Sequence, residues 1–217
     1  ESVMEEKDIT RSCIDCHVVN CRRGEEGKYP DFCLTTNVPD EIQNRAMDLL
    51  REPENNRIAV SAAEVEYEGY GKRTRVEEGI QFARKIGAHK LGIATCAGLL
   101  DESRTLAKIL RTNGFEVYGA VCKMGANPKV SIGIPKECEA VGVNMCNPIM
   151  QALALNEAHT DLNLIMGLCV GHDSLFIKYS DALVTSVVTK DRVLGHNPCV
   201  ALYQYDKYYK RLQEPQD

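Results

Sequence analysis

Four of the ten cysteines lie close together near the start of the chain. Their spacing is Cys13-x2-Cys16-x4-Cys21-x11-Cys33. A Cys-x2-Cys pair lets two sulfur atoms converge on one metal, and the two later thiols can close the site from the far side of a loop. Four thiolates suit a tetrahedral zinc ion or a cubane iron–sulfur cluster. The segment therefore predicts a metal site, and its spacing leaves zinc and iron–sulfur both open.

A second group of four cysteines occurs where predicted strands end. Cys96, Cys122 and Cys169 each follow an apolar strand pattern, and Cys146 immediately precedes a helical one. Ligands of open α/β sheets bind at the carboxyl ends of the strands, so four thiols at that edge predict a second metal centre. The alternative is that they are small apolar core residues, which single buried cysteines often are. We expect that interpretation to hold for a few cysteines, but not for four at one edge.

Two cysteines remain outside both groups. Cys138 lies in a polar segment and is expected to be an exposed free thiol. Cys199 lies at the start of a short apolar pattern, for which we expect a packing role.

Several polar residues follow the second group closely enough to take part in its chemistry. His172, Asp173 and Lys123 are the candidates for acid, base or ligand-orienting roles. The histidine and the aspartate have an alternative role at the start of a helix, where an aspartate can cap free N–H groups. Lys190, Asp191 and His196 are within reach if the strand order brings their loops together, but the Lys-Asp pair also fits an exposed turn.

The elements that must position these residues alternate between strands and helices. Residues 1–38 form a cysteine-rich metal-binding segment without periodicity, residues 39–88 a helical region, and residues 89–217 an α/β domain. Strand patterns at 90–95, 115–121, 162–168 and 182–188 are separated by helical patterns, which predicts a mostly parallel, Rossmann-like sheet with helices on both faces. A last strand is predicted at 200–205. No Gly-x-Gly-x-x-Gly pattern follows the first strand, so NAD and FAD are disfavoured.

Composition excludes several classes of partner. The formal net charge is −5 and no basic stripe is present, so we expect no nucleic-acid binding. Apolar runs are too short for a membrane span, and we expect no membrane association. Ten cysteines without a secretory signal favour reduced thiols in the cytoplasm over a disulfide framework.

The motifs together resemble a known protein family. They are CIDCHVVNCRRGE, GIATCAGL, VCKMG, MCNPIMQALALN and GLCVGHDSLFIKYSDALVTSVVTKDRVLGHNP. From about Cys13 to Tyr203 the chain resembles the bacterial and archaeal metal-binding protein family catalogued as domain of unknown function 1847. The resemblance implies metal binding by the same two groups of four cysteines, in the cytoplasm of mainly anaerobic organisms, and it implies no reaction. Leu183 departs from the proline expected there, which affects only a strand start.

These observations favour a redox protein with two centres, each bound by four cysteines. We expect two [4Fe–4S] clusters, with zinc as the alternative at the N-terminal site, acting in electron transfer or in reduction of a small molecule. The alternative is a zinc-stabilised binding protein or a regulatory sensor without redox catalysis. The sequence leaves open whether the protein is an enzyme, which would then be an iron–sulfur oxidoreductase. It also leaves open the redox partner and the oligomeric state.

Overall fold

A computed structural model of the chain describes residues 11–25 and 27–216. The first ten residues of the predicted cysteine-rich segment and Glu26 lie outside the described residues. The chain divides into two compact units, Glu1–Ala59 and Val60–Asp217. The boundary falls inside a helix, and the three-part division made from the sequence stays a prediction.

The described part of the first unit consists of short turns followed by helices. Its 3-10 turns are Cys13–Asp15 and Asn20–Arg22, and its helices are α1 (Leu34–Asn37), α2 (Asp40–Arg51) and the start of α3 (Pro53–Gly69). The buried Asn20 side chain donates to the Glu25 carbonyl and accepts from the Glu25 amide at 3.3 Å, and this closes the loop after Cys21. α2 begins after Pro39 with Asp40 and Glu41 in its first turn, where acidic groups favour helix formation.

The second unit contains the sheet. Its strands are β1 (Lys90–Thr95), β2 (Glu116–Val121), β3 (Leu162–Met166) and β4 (Leu183–Val188). Its further helices are α4 (Arg75–Lys85), α5 (Leu100–Thr112), α6 (Pro148–Glu157), α7 (His172–Tyr179) and α8 (Cys199–Tyr203). Short 3-10 helices cover Ala97–Leu99, Lys129–Ile132, Lys136–Val141 and Lys210–Gln213.

The four strands form one parallel sheet in the order β2-β1-β3-β4. Because β1 connects to β2 on one side and lies beside β3 on the other, the chain reverses its direction of winding between β1 and β3. Ligands of open α/β sheets bind in a crevice beside such a reversal, at the carboxyl ends of the strands, and we call this region the crevice. The prediction of a parallel, Rossmann-like α/β fold is confirmed.

Helices cover both faces of the sheet. Alternate strand residues pack on one face against α4 and α5, through a cluster that includes Ile80, Ala83, Leu91, Ile93, Leu106, Leu110 and Leu164. The opposite face packs against α6 and α7, through Ala94, Ala152, Leu155, Ile165 and Phe176. Each fully buried leucine or phenylalanine side chain contributes roughly 1.5–3 kcal/mol to folding. Packing of helices on both faces therefore stabilises the sheet.

The predicted last strand is wrong. Residues 199–203 form the short helix α8, and its first residue, Cys199, is exposed instead of packed. A short apolar run does not distinguish strand from helix by its periodicity alone. Within residues 11–25 and 27–216, no helix is both long enough and apolar enough to cross a bilayer.

Candidate functional site

Three of the predicted thiols follow neighbouring strands at the carboxyl edge of the sheet. Cys96 directly follows β1, and its amide donates to the Met166 carbonyl of β3 at 3.1 Å. Cys122 directly follows β2, and its amide donates to the Thr95 carbonyl of β1 at 2.9 Å. The ladder of the sheet therefore continues through both cysteines and fixes their backbones.

The third thiol, Cys169, reaches the same edge through a sharp turn after β3. Gly167 has a φ of +66°, and a Cβ at this position would lie 2.2 Å from Leu99 Cδ1. Only glycine combines this backbone angle with such close contact. The turn brings the chain to Cys169, whose carbonyl then accepts from the amides of His172 and Asp173 at 2.9 and 3.2 Å.

Cys146 is brought to this edge by the start of α6. The Asn147 amide donates to the Cys122 carbonyl at 2.8 Å, and the Asn147 side chain caps the helix by accepting from the Met150 amide at 2.9 Å. These bonds hold Cys146 beside Cys122, and the two sulfur groups hydrogen-bond to each other. We call Cys96, Cys122, Cys146 and Cys169 the sheet-edge thiols.

The sheet-edge thiols differ in exposure and in protonation. Cys96 and Cys122 are buried, at 9% and 3% exposure, whereas Cys146 and Cys169 are half-buried. The hydrogen bond from Cys122 lowers the pKa of Cys146 to about 5, burial opposes this shift, and the charges of Lys123 and His172 support it. The same hydrogen bond, together with burial, raises the pKa of Cys122. The pair therefore holds one thiolate and one thiol.

Backbone and cationic donors point at two of the sulfur atoms. The Ala97 amide donates to Cys122 Sγ at 3.3 Å, and Arg192 Nη2 donates to Cys169 Sγ at 3.0 Å. The hydrogen bond to Cys169 and the proximity of Cys96 and Cys146 raise the pKa of Arg192. Arg192 therefore lies within electrostatic reach of three of the four sheet-edge thiols.

A buried glutamine fixes the frame beneath the thiols. Gln151 of α6 is fully buried, and its Nε2 donates to the Ala120 carbonyl at 2.7 Å and to the Thr95 carbonyl at 3.1 Å. It therefore ties α6 to the ends of β1 and β2, next to Cys96 and Cys122. Its Oε1 has no hydrogen-bond partner among the described residues. The only sequence signal for this role is a polar residue inside the apolar pattern of α6.

The predicted acid–base candidates divide between the thiol site and structural roles. His172 opens α7, and its charge acts on Cys146. Lys123 Nζ donates to the Asn144 carbonyl at 2.6 Å and also acts on Cys146. Asp173 lies in the first turn of α7 and accepts from the Ser174 amide at 2.8 Å, but it does not cap the helix, because Gly171 is the capping residue and no side chain caps it.

The residues after β4 also divide in this way. Asp191 Oδ1 accepts from the amides of Val193 and Leu194, which is the surface-turn role. His196 Nδ1 accepts from the Asp191 amide at 3.1 Å and stabilises the same turn. Lys190 Nζ and Cys96 Sγ both lie near Gly98, each 3.9 Å from the position that a Cβ at residue 98 would take.

The N-terminal thiols Cys13, Cys16, Cys21 and Cys33 are placed by short turns. All four are free, with Cys13 and Cys21 exposed and Cys16 and Cys33 half-buried. Cys16 Sγ accepts from the Val19 amide at 3.4 Å. Cys33 precedes α1, and hydrogen bonds led by the Thr35 side chain lower its pKa. Local hydrogen bonds therefore hold the thiols of Cys16 and Cys33.

The two other cysteines lie apart from both groups. Cys138 is exposed within the 3-10 helix Lys136–Val141, as its polar surroundings predict. Cys199 is exposed at the start of α8, which contradicts the packing role expected for it.

Neither predicted group of four cysteines is assembled as a metal-ligand set in the described residues. Across the described ranges 11–25 and 27–216, no three His, Cys, Asp or Glu side chains are arranged as ligands of one metal ion. The sheet-edge thiols nevertheless fit a thiolate-bound group in donor chemistry, because they supply four soft sulfur atoms with cationic neighbours that offset thiolate charge. For the N-terminal thiols, the fit to a metal depends on spacing alone.

Comparison with known proteins identifies a family. A family model described as "Protein of unknown function (DUF1847)" matches residues 33–187. The match contains all four sheet-edge thiols and Cys33, and it begins after Cys13, Cys16 and Cys21. The chain is also similar to the uncharacterized protein MJ0455 of Methanocaldococcus jannaschii, with 41% identity over 203 residues, which is 93% of this chain and 98% of the relative. No solved structure matches.

Metal binding, which the resemblance implied, stays a prediction, because neither description names a metal. The family itself is confirmed by both comparisons. The chain belongs to the family of unknown function DUF1847.

Proposed function

We propose that this protein is a metal-binding redox protein whose sheet-edge thiols hold a [4Fe–4S] cluster. The supporting observation is that four cysteines from residues 96–169 lie at one edge of a parallel sheet, where Cys122 and Cys146 shift the pKa of each other. In the proposed function, the crevice at the reversal between β1 and β3 gives a partner protein or small molecule access to this centre.

The residues around the thiols would bind the cluster and adjust its properties. Cys96, Cys122, Cys146 and Cys169 would be its ligands, and a bound cubane would supply one-electron transfer. The Ala97 amide and Arg192 already donate to two of the sulfur atoms, at 3.3 and 3.0 Å. Such hydrogen bonds and positive charges stabilise a more reduced, more negative centre. Burial of Cys96 and Cys122 would shield the centre from water.

We propose a second centre at Cys13, Cys16, Cys21 and Cys33, either a second [4Fe–4S] cluster or zinc. This part of the proposal rests on the Cys-x2-Cys spacing and on the lack of a helical or strand period in the sequence between these residues. Metal binding commonly orders such a loop, because the ligands replace a hydrophobic core. Reduced thiols of this number fit a cytoplasmic protein, which is the location we propose.

A zinc-stabilised binding or sensor protein is the second candidate. Burial of Cys96 and Cys122 favours it, because structural zinc sites are closed to solvent and substrate. In that case the crevice would present a binding surface, and its thiolates would have no redox role.

Anaerobic purification with metal analysis tests the proposal. We expect a brown protein with roughly eight iron atoms per chain, or roughly four if zinc occupies the N-terminal site, and bleaching by dithionite. A Cys138→Ala variant should match the unaltered protein, because Cys138 is exposed and belongs to neither group. A colourless protein containing only zinc would support the second candidate, and a protein without bound metal would contradict both.

A further inference from the structure

The rim of the thiol crevice carries positive charge in a chain whose formal net charge is −5. Arg192 and Lys190 come from the segment after β4, and Lys123 comes from the turn after β2. In the described part of the chain, no carboxylate forms an ion pair with any of these three residues. The excess charge is therefore local to the crevice.

The nearby carboxylates are directed elsewhere. Asp191 lies between Lys190 and Arg192 in sequence, but its Oδ1 accepts from the amides of Val193 and Leu194 at 2.9 and 2.8 Å. Asp173 accepts from the Ser174 amide at the start of α7. Both acids accept from backbone donors, and among the described residues neither forms an ion pair with the cations at the crevice.

The cations are not all committed to the thiols. Arg192 is exposed and uses Nη2 to contact Cys169, and Lys123 donates to the Asn144 carbonyl at 2.6 Å. Lys190 forms no hydrogen bond or ion pair with the residues that the structure describes, although its Nζ lies beside Gly98 close to Cys96. Arg192 and Lys190 thus both lie near Cys96, and a guanidinium and an ammonium are each suited to binding anionic oxygen groups.

We propose that the crevice binds a small anionic molecule through a carboxylate or another oxyanion group held by Arg192 and Lys190. The anion would lie beside the sheet-edge thiols and would be the substrate of the proposed redox site. Its role as a substrate rests on the proposed function. The cationic rim would also raise the local concentration of such ligands in an otherwise acidic protein. Lys123 adds positive charge on the Cys146 side.

Titration of the full chain, purified anaerobically, with sodium sulfate and with sodium acetate tests this inference by calorimetry. We expect saturable binding of at least one of the two anions, and the one that binds more tightly identifies the group as a tetrahedral oxyanion or a carboxylate. Lys190→Gln and Arg192→Gln should each weaken binding about tenfold, because each removes a charged hydrogen bond. Lys178→Gln, which changes a lysine in the last turn of α7, is the matched control and should bind as the unaltered chain does.

Two results would overturn the inference: binding of neither anion, or equal binding by the unaltered chain and the Lys190→Gln variant. Metal analysis of the same samples separates this result from failure of the proposed function. Normal metal content without anion binding would contradict the anion site and support the proposed metal centre. Anion binding by a protein without metal would support the anion site and contradict the metal centre. If Arg192→Gln fails to fold, Lys190→Gln and its control carry the test, because Lys190 contacts no described residue through a hydrogen bond or ion pair.

Discussion

The N-terminal and sheet-edge groups each contain four cysteines, but different elements of the fold position them. The N-terminal four lie within residues 13–33 and depend on short 3-10 turns, whereas the sheet-edge four come from residues 96–169 and are gathered by the strands. Strand hydrogen bonds fix the backbones of Cys96 and Cys122, whereas local turns hold the N-terminal cysteines, where the proposed metal would take the place of a core. The two groups therefore differ in whether long-range or local hydrogen bonds position their cysteines.

Removal of one ligand from each group has the largest expected effect. Cys169→Ala should eliminate the metal of the proposed sheet-edge centre and leave that of the proposed N-terminal centre, and Cys16→Ala should do the reverse. A truncated ligand leaves a cubane or tetrahedral site incomplete. Iron, sulfide and zinc analysis of the anaerobically purified variants measures both losses.

Cys138→Ala is the matched control for both variants. It changes an exposed cysteine that belongs to neither group and should leave metal content unchanged. Loss of all metal from Cys169→Ala or from Cys16→Ala would contradict the existence of two independent centres, as would loss of none.

Core truncation should separate the two regions by stability. Leu155 is 0% exposed in α6, and Leu155→Ala should lower the free energy of unfolding by about 3 kcal/mol because it leaves a cavity beneath the sheet. Leu50 in α2 is 45% exposed, and Leu50→Ala should cost less than about 1 kcal/mol. Urea unfolding curves measure both values. Equal losses would contradict the packed character that we assign to the sheet region.

The Cys122–Cys146 pair predicts an unusual pH dependence. The hydrogen bond from Cys122 and the charges of Lys123 and His172 lower the pKa of Cys146 to about 5. In protein stripped of metal, alkylation of Cys146 by iodoacetamide should rise with pH around this value and be constant at neutral pH. Cys122→Ala removes the donor and should move the midpoint upward. Mass spectrometry of the labelled peptide measures the rate, and an ordinary thiol midpoint in the unaltered chain would contradict the assigned pair.

The corresponding effect at Cys33 should be smaller. The Thr35 side chain is the main cause of the lowered pKa of this thiol, and further hydrogen bonds from Thr35 and Thr36 add to it. Thr35→Ala should therefore raise the alkylation midpoint of Cys33 modestly and leave that of Cys146 unchanged. The same labelling experiment measures both midpoints. A larger shift at Cys33 than Cys122→Ala causes at Cys146 would reverse the expected order of the two regions.

Much of the α/β core could be predicted from the sequence. The strand patterns correspond to β1–β4, because apolar runs between glycine-rich turns are typical of buried parallel strands. The strand predicted at residues 200–205 was wrong because a short apolar run carries no reliable period, and residues 199–203 form α8 instead. Strand order could not be predicted, since it depends on packing between distant segments.

The position of the sheet-edge thiols was predictable, but the residues that support them were not. Cys96 and Cys122 directly follow strands, and parallel strands share one carboxyl edge. The roles of Arg192 and Gln151 depend on contacts over 23 and 56 residues of sequence, to Cys169 and to the Thr95 carbonyl. No local pattern marks such contacts, so only the folded chain reveals them.

Anomalous diffraction at the iron K edge, from a crystal of anaerobically purified protein, tests the central claim most directly. We expect a strong peak at the carboxyl edge of the sheet, between β1 and β3, with the sulfur atoms of Cys96, Cys122, Cys146 and Cys169 within about 2.3 Å of the metal positions, the usual length of a metal–thiolate bond. The absence of an anomalous peak at this edge, with the four sulfur atoms turned to separate surroundings, would contradict the account.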